Sequence, residues 1–399
     1  MLTLDRIYQA SHALKKCVRK TDIVQYSNIN AGCELYLKTE NLQTTGSFKV
    51  RGAYFKISML SEEEKARGVI ACSAGNHAQG VAMSAQQLGI ESTIFIPSIA
   101  PLSKIEATKK FGATVRLIDG VYDDAYEAAV EYQKESGGVF IHPFDDIDVI
   151  AGQGTIGLEI LECLDDLDAV ILPIGGGGLA AGVAFVIKKL KPTCKVYGVE
   201  AKGADSMHQS LELHERVNLD RVSTFADGIA VKHPGAITYE LCEEYVDQIV
   251  TVTDDEIATA ILTLMEQQKL VAEGAGVVSV AAILFNKLPS LDGKKVCAVV
   301  SGGNIDVNIL SRVISRGLLT TGRLSELTIE MLDKPGQLSE VSAIIASTGA
   351  NVTKVMHNLG GENTNINGCY LHISMETKNR EHFLTVKQAL QSAGYHIAK

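Results

Sequence analysis

Four consecutive glycines, Gly175 to Gly178, follow the apolar run Ala169-Val170-Ile171-Leu172-Pro173-Ile174 and lead into a helix-like run that begins near Leu179. No other stretch constrains the fold as much. Absent side chains let backbone amides approach an anion, and the helix N-terminus adds positive potential there. The spacing is not G-x-G-x-x-G followed by an acidic ribose partner, so a phosphate cradle is favoured over dinucleotide binding. A flexible linker is the plain alternative, and the apolar strand immediately before the glycines argues against it.

The same strand-turn-helix pattern recurs on both sides. Asp5 to Lys16 reads as an amphipathic helix and Glu34 to Lys38 as a strand. Val69-Ile70-Ala71-Cys72 is a short apolar run, followed by a turn at Gly75 and a helix from Asn76 towards Leu88 that Gly89 stops. Strands follow at Thr93 to Ile96, ended by Pro97, and at Thr114 to Ile118, with Pro101 near the start of a helix between them. Beyond the glycines, Lys195 to Glu200 and Val296 to Val300 are strands. Thr253-Asp254-Asp255-Glu256 is a capping box for a helix whose Ile257, Ala260, Ile261 and Leu264 share one face. Alternation of this kind predicts an α/β fold, a parallel sheet with helices on both faces. A small α/β subdomain is expected over about 54–144.

A lysine stands out in Thr45-Gly46-Ser47-Phe48-Lys49-Val50-Arg51-Gly52-Ala53. Lys49 lies at the start of a predicted helix between an aromatic and an aliphatic residue, and Ser47 is the predicted N-cap. Such neighbours bury the stem, and burial lowers a lysine pKa by disfavouring the charged form. A neutral amine is what an imine-forming or proton-abstracting lysine needs. Taken alone, a lysine in such a nonamer is ordinarily a surface residue.

Three further stretches change that reading: Ser73-Ala74-Gly75-Asn76-His77, the tetraglycine run with Leu179, and Ser301-Gly302-Gly303-Asn304. Together with the Lys49 nonamer, in this order, they resemble the fold type II (tryptophan-synthase-β-like) family of pyridoxal-phosphate enzymes, and within it the threonine dehydratases. The stretches His142-Pro143-Phe144-Asp145-Asp146 and Ile150-Ala151-Gly152-Gln153-Gly154-Thr155 extend the resemblance over nearly the whole chain.

The resemblance implies pyridoxal 5'-phosphate as cofactor, with Lys49 as the imine-forming lysine that also removes the substrate's α proton. Phe48 and Asn76 would flank the ring, the Asn76 amide donating to the phenolic oxygen; a helix N-cap is the plain role for Asn76. Gly175, Gly176, Gly177, Gly178 and Leu179 would hold the phosphate. Ser301 would meet the pyridine nitrogen and leave it neutral, although a serine in a glycine turn is common on turn preferences alone. Ser73, Ala74, Asn76 and His77 would donate to the substrate carboxylate, with no acid-base role for His77. In serine racemases of this fold the position of Ala74 is a serine acting as second base, which alanine cannot do. Glu200, the Ala204 carbonyl and Ser206 match in position a site for a monovalent or divalent cation in relatives, without its usual last acid. Glu273 falls near an acidic position of the family.

From about Leu324 the pattern changes. Leu327 to Met331 alternates as a strand, Asp333-Lys334-Pro335-Gly336 is a turn, and a helix is predicted from Gln337 to Ser347. Strands at Val352 to Met356 and Gly368 to Met375 follow, then a helix capped by Asn379 with Phe383, Val386 and Leu390 inward, ended by Gly394. This βαββαβ order resembles an ACT domain over 325–399, after a linker near 319–323. The catalytic region would then be 1–320, its large subdomain 1–53 and 145–320. The resemblance implies an amino-acid or nucleotide effector at the ACT segment and a homodimer or homotetramer.

Composition removes other classes. The formal net charge is -10 with no basic run, which leaves no clustered cationic face for nucleic acid. No apolar run approaches the roughly 20 residues of a membrane helix, and the N-terminus does not read as a signal peptide. Eight scattered cysteines without a C-x-x-C pair predict buried reduced thiols in a cytoplasmic protein. The implied activity is elimination of water from L-threonine, more weakly from L-serine, to give the 2-oxoacid and ammonia. A serine racemase or serine dehydratase, and a non-catalytic amino-acid sensor, are the alternatives.

Overall fold

In the computed structural model the described residues are 1–27, 32–289, 291–359 and 366–398. The chain forms two compact units, Met1–Val307 and Asn308–Lys399. The Val307–Thr320 helix, assigned to the catalytic region on sequence, thus falls almost wholly in the second unit.

The first unit holds two sheets. The smaller is parallel, with strands in the spatial order Thr114–Ile118, Ser92–Pro97, Val69–Cys72 and Val139–Phe140. Ile57, Val69, Val81, Ile94 and Ile141 form its core. The predicted subdomain start near Tyr54 lies inside the unbroken helix Lys49–Ser58, so that helix belongs to the frame between the two sheets.

The larger sheet has six strands in the order Ile23–Gln25, Glu34–Thr39, Lys295–Val300, Ala169–Pro173, Lys195–Ala201 and Gln248–Val252. Only its first pair is antiparallel. The apolar strands Ala169–Pro173 and Lys295–Val300 are buried from end to end or nearly so, as strands covered on both faces must be. Glu34–Thr39 lies beside Lys295–Val300 with Thr39 opposite Val300, although some 260 residues separate them. The chain leaving each strand therefore emerges at the same sheet end. Ser47 bridges Gly302 there, and the Phe48 amide donates to the Ser301 carbonyl at 3.1 Å. This pairing draws Ser47 out of the capping position: the helix starts at Lys49 after Phe48, without a side-chain cap.

The second unit is an antiparallel sheet in the order Asn351–Leu359, Gly368–Glu376, Leu324–Leu332, His396–Ala398. Helices Gln337–Ser347 and Arg380–Ser392 supply Val341, Ile345, Val386 and Leu390 to a core shared with Leu327, Ile329, Leu371 and Ile373. The βαββαβ order follows the sequence, as do the Asn379 cap, whose side chain accepts from the His382 amide, and the left-handed Gly349 and Gly394 after the two helices.

Candidate active site

The site lies where the strand ends of the large sheet meet the Asn76–Leu88 helix of the smaller subdomain. Lys49 is half-buried and its Nζ donates to the Pro143 carbonyl at 2.9 Å. Burial pulls the amine down to about 8, against the opposing charge of Glu273. The Phe48 ring centroid is 5.3 Å from the same nitrogen.

Next to Pro143, Phe144 packs on the glycine turn. A Cβ on Gly176 would stand 2.3 Å from the Phe144 ring, so any larger residue must displace the ring or the turn. Gly175 to Leu179 are all buried, and among the described residues none of their amides has an acceptor. Three of these five precede the Gly178–Leu190 helix and two open its first turn, where amides have no intrahelical partner. Unspent buried donors cost free energy unless an anion takes them. This cradle, beside an amine with a lowered pKa, fits a phosphate-bearing carbonyl compound. Thr238, whose hydroxyl donates to the Gly176 carbonyl at 2.6 Å, braces the turn from behind. Asp145 in turn accepts from the amides of Ala236, Ile237 and Thr238 at 2.9–3.2 Å, fixing the helix that carries Thr238.

On the opposite side a polar chain runs through Asn76. Its Nδ2 donates to Glu273 at 2.5 Å, and its Oδ1 accepts from Asn304 at 2.8 Å. Asn304 also donates to the Thr45 carbonyl at 2.7 Å, closing the chain onto the Lys49 loop. The amide group of Asn76 has two hydrogens, so one remains for a ligand. Helix capping is not its role, because Gly75 holds the N-cap position of Asn76–Leu88. Glu273 is buried and pushed up to about 7, by burial first and then by Asp227. The Asn76 hydrogen bond, Lys104 and Lys49 oppose that rise. A Cβ on Gly302 would stand 2.3 Å from Glu273 Oε1, so a side chain there would push that carboxylate from its place beside Asn76. Ser301 is buried, and its hydroxyl is 3.4 Å from the Ala275 carbonyl, too long to hold it.

At the start of the Asn76–Leu88 helix, the amides of Ala74, Asn76 and His77 have no acceptor among the described residues. Ser73 differs: its amide donates to Phe95 at 3.1 Å and its hydroxyl accepts from Gly75, so only the O–H is left to offer. His77 is buried and driven down to about 3, by burial and then by the Lys49 charge. Its Nε2 bonds the Ile141 carbonyl at 2.8 Å, so the ring is neutral and structural.

Glu200, Ala204 and Ser206 lie together, away from Lys49 in sequence and contact. Both Glu200 oxygens accept backbone amides, from Met207 at 3.1 Å and His208 at 2.7 Å, while Ser206 donates to the Val231 carbonyl. Burial raises Glu200 to about 8 against those two bonds.

Sequence reasoning missed Thr238, Asp145 as its anchor, and Pro143 as the acceptor for Lys49. Thr238 sits about 60 residues beyond the glycine turn at the start of an undistinguished helix, and nothing local marks it.

A family model described as pyridoxal-phosphate dependent enzyme matches residues 14–302, and the chain belongs to that family. Its cofactor is therefore pyridoxal phosphate. The L-threonine ammonia-lyase of Thermotoga maritima is 50% identical over 399 residues, covering 100% of this chain and 99% of that one. Among solved structures, the processed form of threonine deaminase isoform 2 from Solanum lycopersicum matches with a TM-score of 0.75 and 38% identity, over 78% of this chain and 87% of that one. Maize serine racemase matches with a TM-score of 0.75 and 34% identity, over 79% and 98%.

Proposed function

We propose that the chain deaminates L-threonine to 2-oxobutanoate and ammonia, and L-serine to pyruvate more weakly. One observation carries the reading: a half-buried Lys49 amine, its pKa lowered to about 8 by burial, stands beside a buried set of unspent amides from Gly175 to Leu179. The full-length likeness to an L-threonine ammonia-lyase supports the same substrate.

Pyridoxal phosphate, when bound, supplies a carbonyl for amine attack and an electron sink that makes the substrate's Cα proton acidic. The amides of Gly175 to Leu179 would hold the phosphate. Phe48 and Asn76 would border the ring, the second Asn76 hydrogen being free to donate. The Ser301 hydroxyl, only loosely held by the Ala275 carbonyl, would be the donor for the ring nitrogen and would leave it without a charge. The amides of Ala74, Asn76 and His77, with the Ser73 hydroxyl, orient the substrate carboxylate at the helix start. Lys49 accepts the Cα proton, which its lowered basicity allows near neutral pH. Loss of that proton and of the β-hydroxyl as water leaves an enamine, which tautomerises and hydrolyses to the 2-oxoacid and ammonia.

The racemase reading, which the likeness to maize serine racemase raises, lacks its chemistry here. Ala74 has no hydroxyl to deliver a proton from the second face. A non-catalytic sensor would have no need of Lys49 in a site with lowered basicity. Support for a cation at Glu200, Ala204 and Ser206 is weaker, because the Glu200 oxygens already accept two amides.

The second unit is proposed as an ACT effector-binding domain, on the strength of its βαββαβ order and the turn at Pro335-Gly336. Its outer strand Asn351–Leu359 is exposed along nearly its whole length, which suits pairing with a second copy in a homodimer or homotetramer. A cytoplasmic role in isoleucine formation is consistent with this design, and no helix among the described residues is long and apolar enough to cross a membrane.

The test is a 2-oxoacid assay with L-threonine and L-serine, repeated with isoleucine, valine and nucleotides. Turnover of threonine above serine is expected. Absence of 2-oxobutanoate from a cofactor-loaded sample would overturn the reading. Truncation after Leu319 should preserve basal turnover and abolish any effector response, and a response that survived it would place regulation elsewhere.

A further inference from the structure

We propose that Asp333, His357 and Cys369 form a binding site for a zinc-class divalent metal ion in the second unit. None of the three takes part in the chemistry assigned to the first unit, and the proposal stands whether or not that chemistry is correct.

The register of three neighbouring strands brings these residues together. Cys369 lies on the Gly368–Glu376 strand, opposite Leu359 on one side and Met331 on the other. Residues two apart on a strand share a face. His357 is two residues before Leu359 and so projects on the face that Cys369 occupies; Asp333 follows just beyond the end of the Leu324–Leu332 strand, where its carboxylate reaches His357. Asp333 is tied to the sheet end by its amide, which donates to the Asn367 carbonyl at 2.8 Å. His357 Nε2 is 3.5 Å from Asp333 Oδ1, and the three donor atoms all lie within 4.8 Å of one another.

Tetrahedral zinc with bonds of about 2.0–2.3 Å sets its donors roughly 3.3–3.8 Å apart. Closing the widest gap therefore needs about 1 Å of movement. Asp333 and His357 are exposed and can turn, while Cys369 is buried and fixed. Thiolate, imidazole and carboxylate together suit zinc or cobalt, whereas magnesium and calcium take all-oxygen shells. Three protein donors leave a fourth position for water or a small-molecule donor. The competing description is an ordinary His–Asp ion pair beside a core cysteine.

Full-length, untagged holoenzyme is stripped of metal, dialysed against Zn²⁺, and separately titrated with Co²⁺, whose bond to a thiolate gives a charge-transfer band. The expected result is one equivalent per chain and a cobalt-thiolate band. Loss of a supporting residue beyond the ligands costs about 10–100-fold in metal affinity, so Cys369→Ser should weaken zinc by at least about 100-fold and remove the band. Should Cys369→Ser disturb packing, the exposed His357→Gln carries the test, with weakened zinc binding and the thiolate band still inducible at higher cobalt. No stoichiometric uptake, or uptake unchanged in both variants, would leave the ion pair as the full description and overturn the proposal.

Discussion

Replacing Lys49 with methionine should make the cofactor-free protein more stable while removing its activity. Methionine keeps an unbranched side chain of similar reach and discards the charge. A fall in the lysine pKa from 10.5 to about 8 means that the folded chain disfavours the ammonium form. The folded state then binds fewer protons than the unfolded state, so stability rises with pH between about 8 and 10.5. At pH 7 the penalty is fully present, about 3 kcal/mol; at pH 9 it is about 2 kcal/mol, and above 10.5 it is gone. Methionine escapes it. Part of the gain is offset because Lys49 helps hold Glu273 down: without it, Glu273 climbs above about 7 and takes up a proton near neutrality. A rise in Tm on the order of 3–6 °C at pH 7 is expected, shrinking steadily towards pH 10. Thermal unfolding of cofactor-free wild type and variant at several pH values measures it. Threonine turnover should fall by about 10²–10⁴-fold on the acid-base contribution alone. An unchanged or lowered Tm at pH 7, or a gain that does not vary with pH, would refute the reasoning about burial. Retained turnover would refute the assignment of Lys49.

Gly176→Ala drives a methyl into the Phe144 ring; overpacking should lower stability by about 1–3 kcal/mol in denaturant unfolding, and titration with pyridoxal phosphate should show weakened binding as the turn that carries the amides shifts. Ala74→Ser places a hydroxyl at the second face and should add slow serine racemisation; appreciable racemisation by the wild type, seen in chiral analysis, would contradict the premise. Arg51→Met strands Glu40, which is fully buried, and should lower stability by about 3–5 kcal/mol in denaturant unfolding, with the added change Glu40→Gln restoring part of the loss.

The legible parts of this fold are those written in short-range chemistry. The strand Val69–Cys72, the left-handed Gly89 that ends the helix behind it, the Thr253–Glu256 capping box and the Gln337–Ser347 helix each depend on a few adjacent residues. The glycine turn announced itself because a close approach needs glycine on the spot. Ser47 misled because N-cap preference is local, and pairing with Gly302 outweighed it. Nothing near Thr238 or Pro143 signals that they meet Gly176 and Lys49, since sheet order creates those contacts. The boundary between the units is less legible for a related reason: the Val307–Thr320 helix is amphipathic, and its sequence alone does not assign it to either unit.

What holds Lys49 against its own cost lies two residues further along the same helix. Successive helical residues turn by about 100°, so Lys49 and Arg51 point about 200° apart, to opposite sides. Lys49 faces Pro143 and the site. Arg51, fully buried, forms paired bonds to Glu40 at 2.7 and 2.8 Å and to Glu159 at 2.7 and 2.9 Å. Lys38 reaches Glu159 at 2.5 Å and completes a quartet of two cations and two anions. Burial alone would raise Glu40, but Arg51 beside it holds its carboxyl below the usual range, and both remain charged. The quartet joins the Glu34–Thr39 strand with the residue that follows it, the Lys49–Ser58 helix and the Ile147–Cys163 helix. Each planar, two-point bond fixes direction as well as distance. A rotation of the helix that let Lys49 swing towards water and regain its proton would have to break four charge-assisted bonds in a buried setting. The helix therefore keeps its angle, and the amine stays in the site with its pKa lowered.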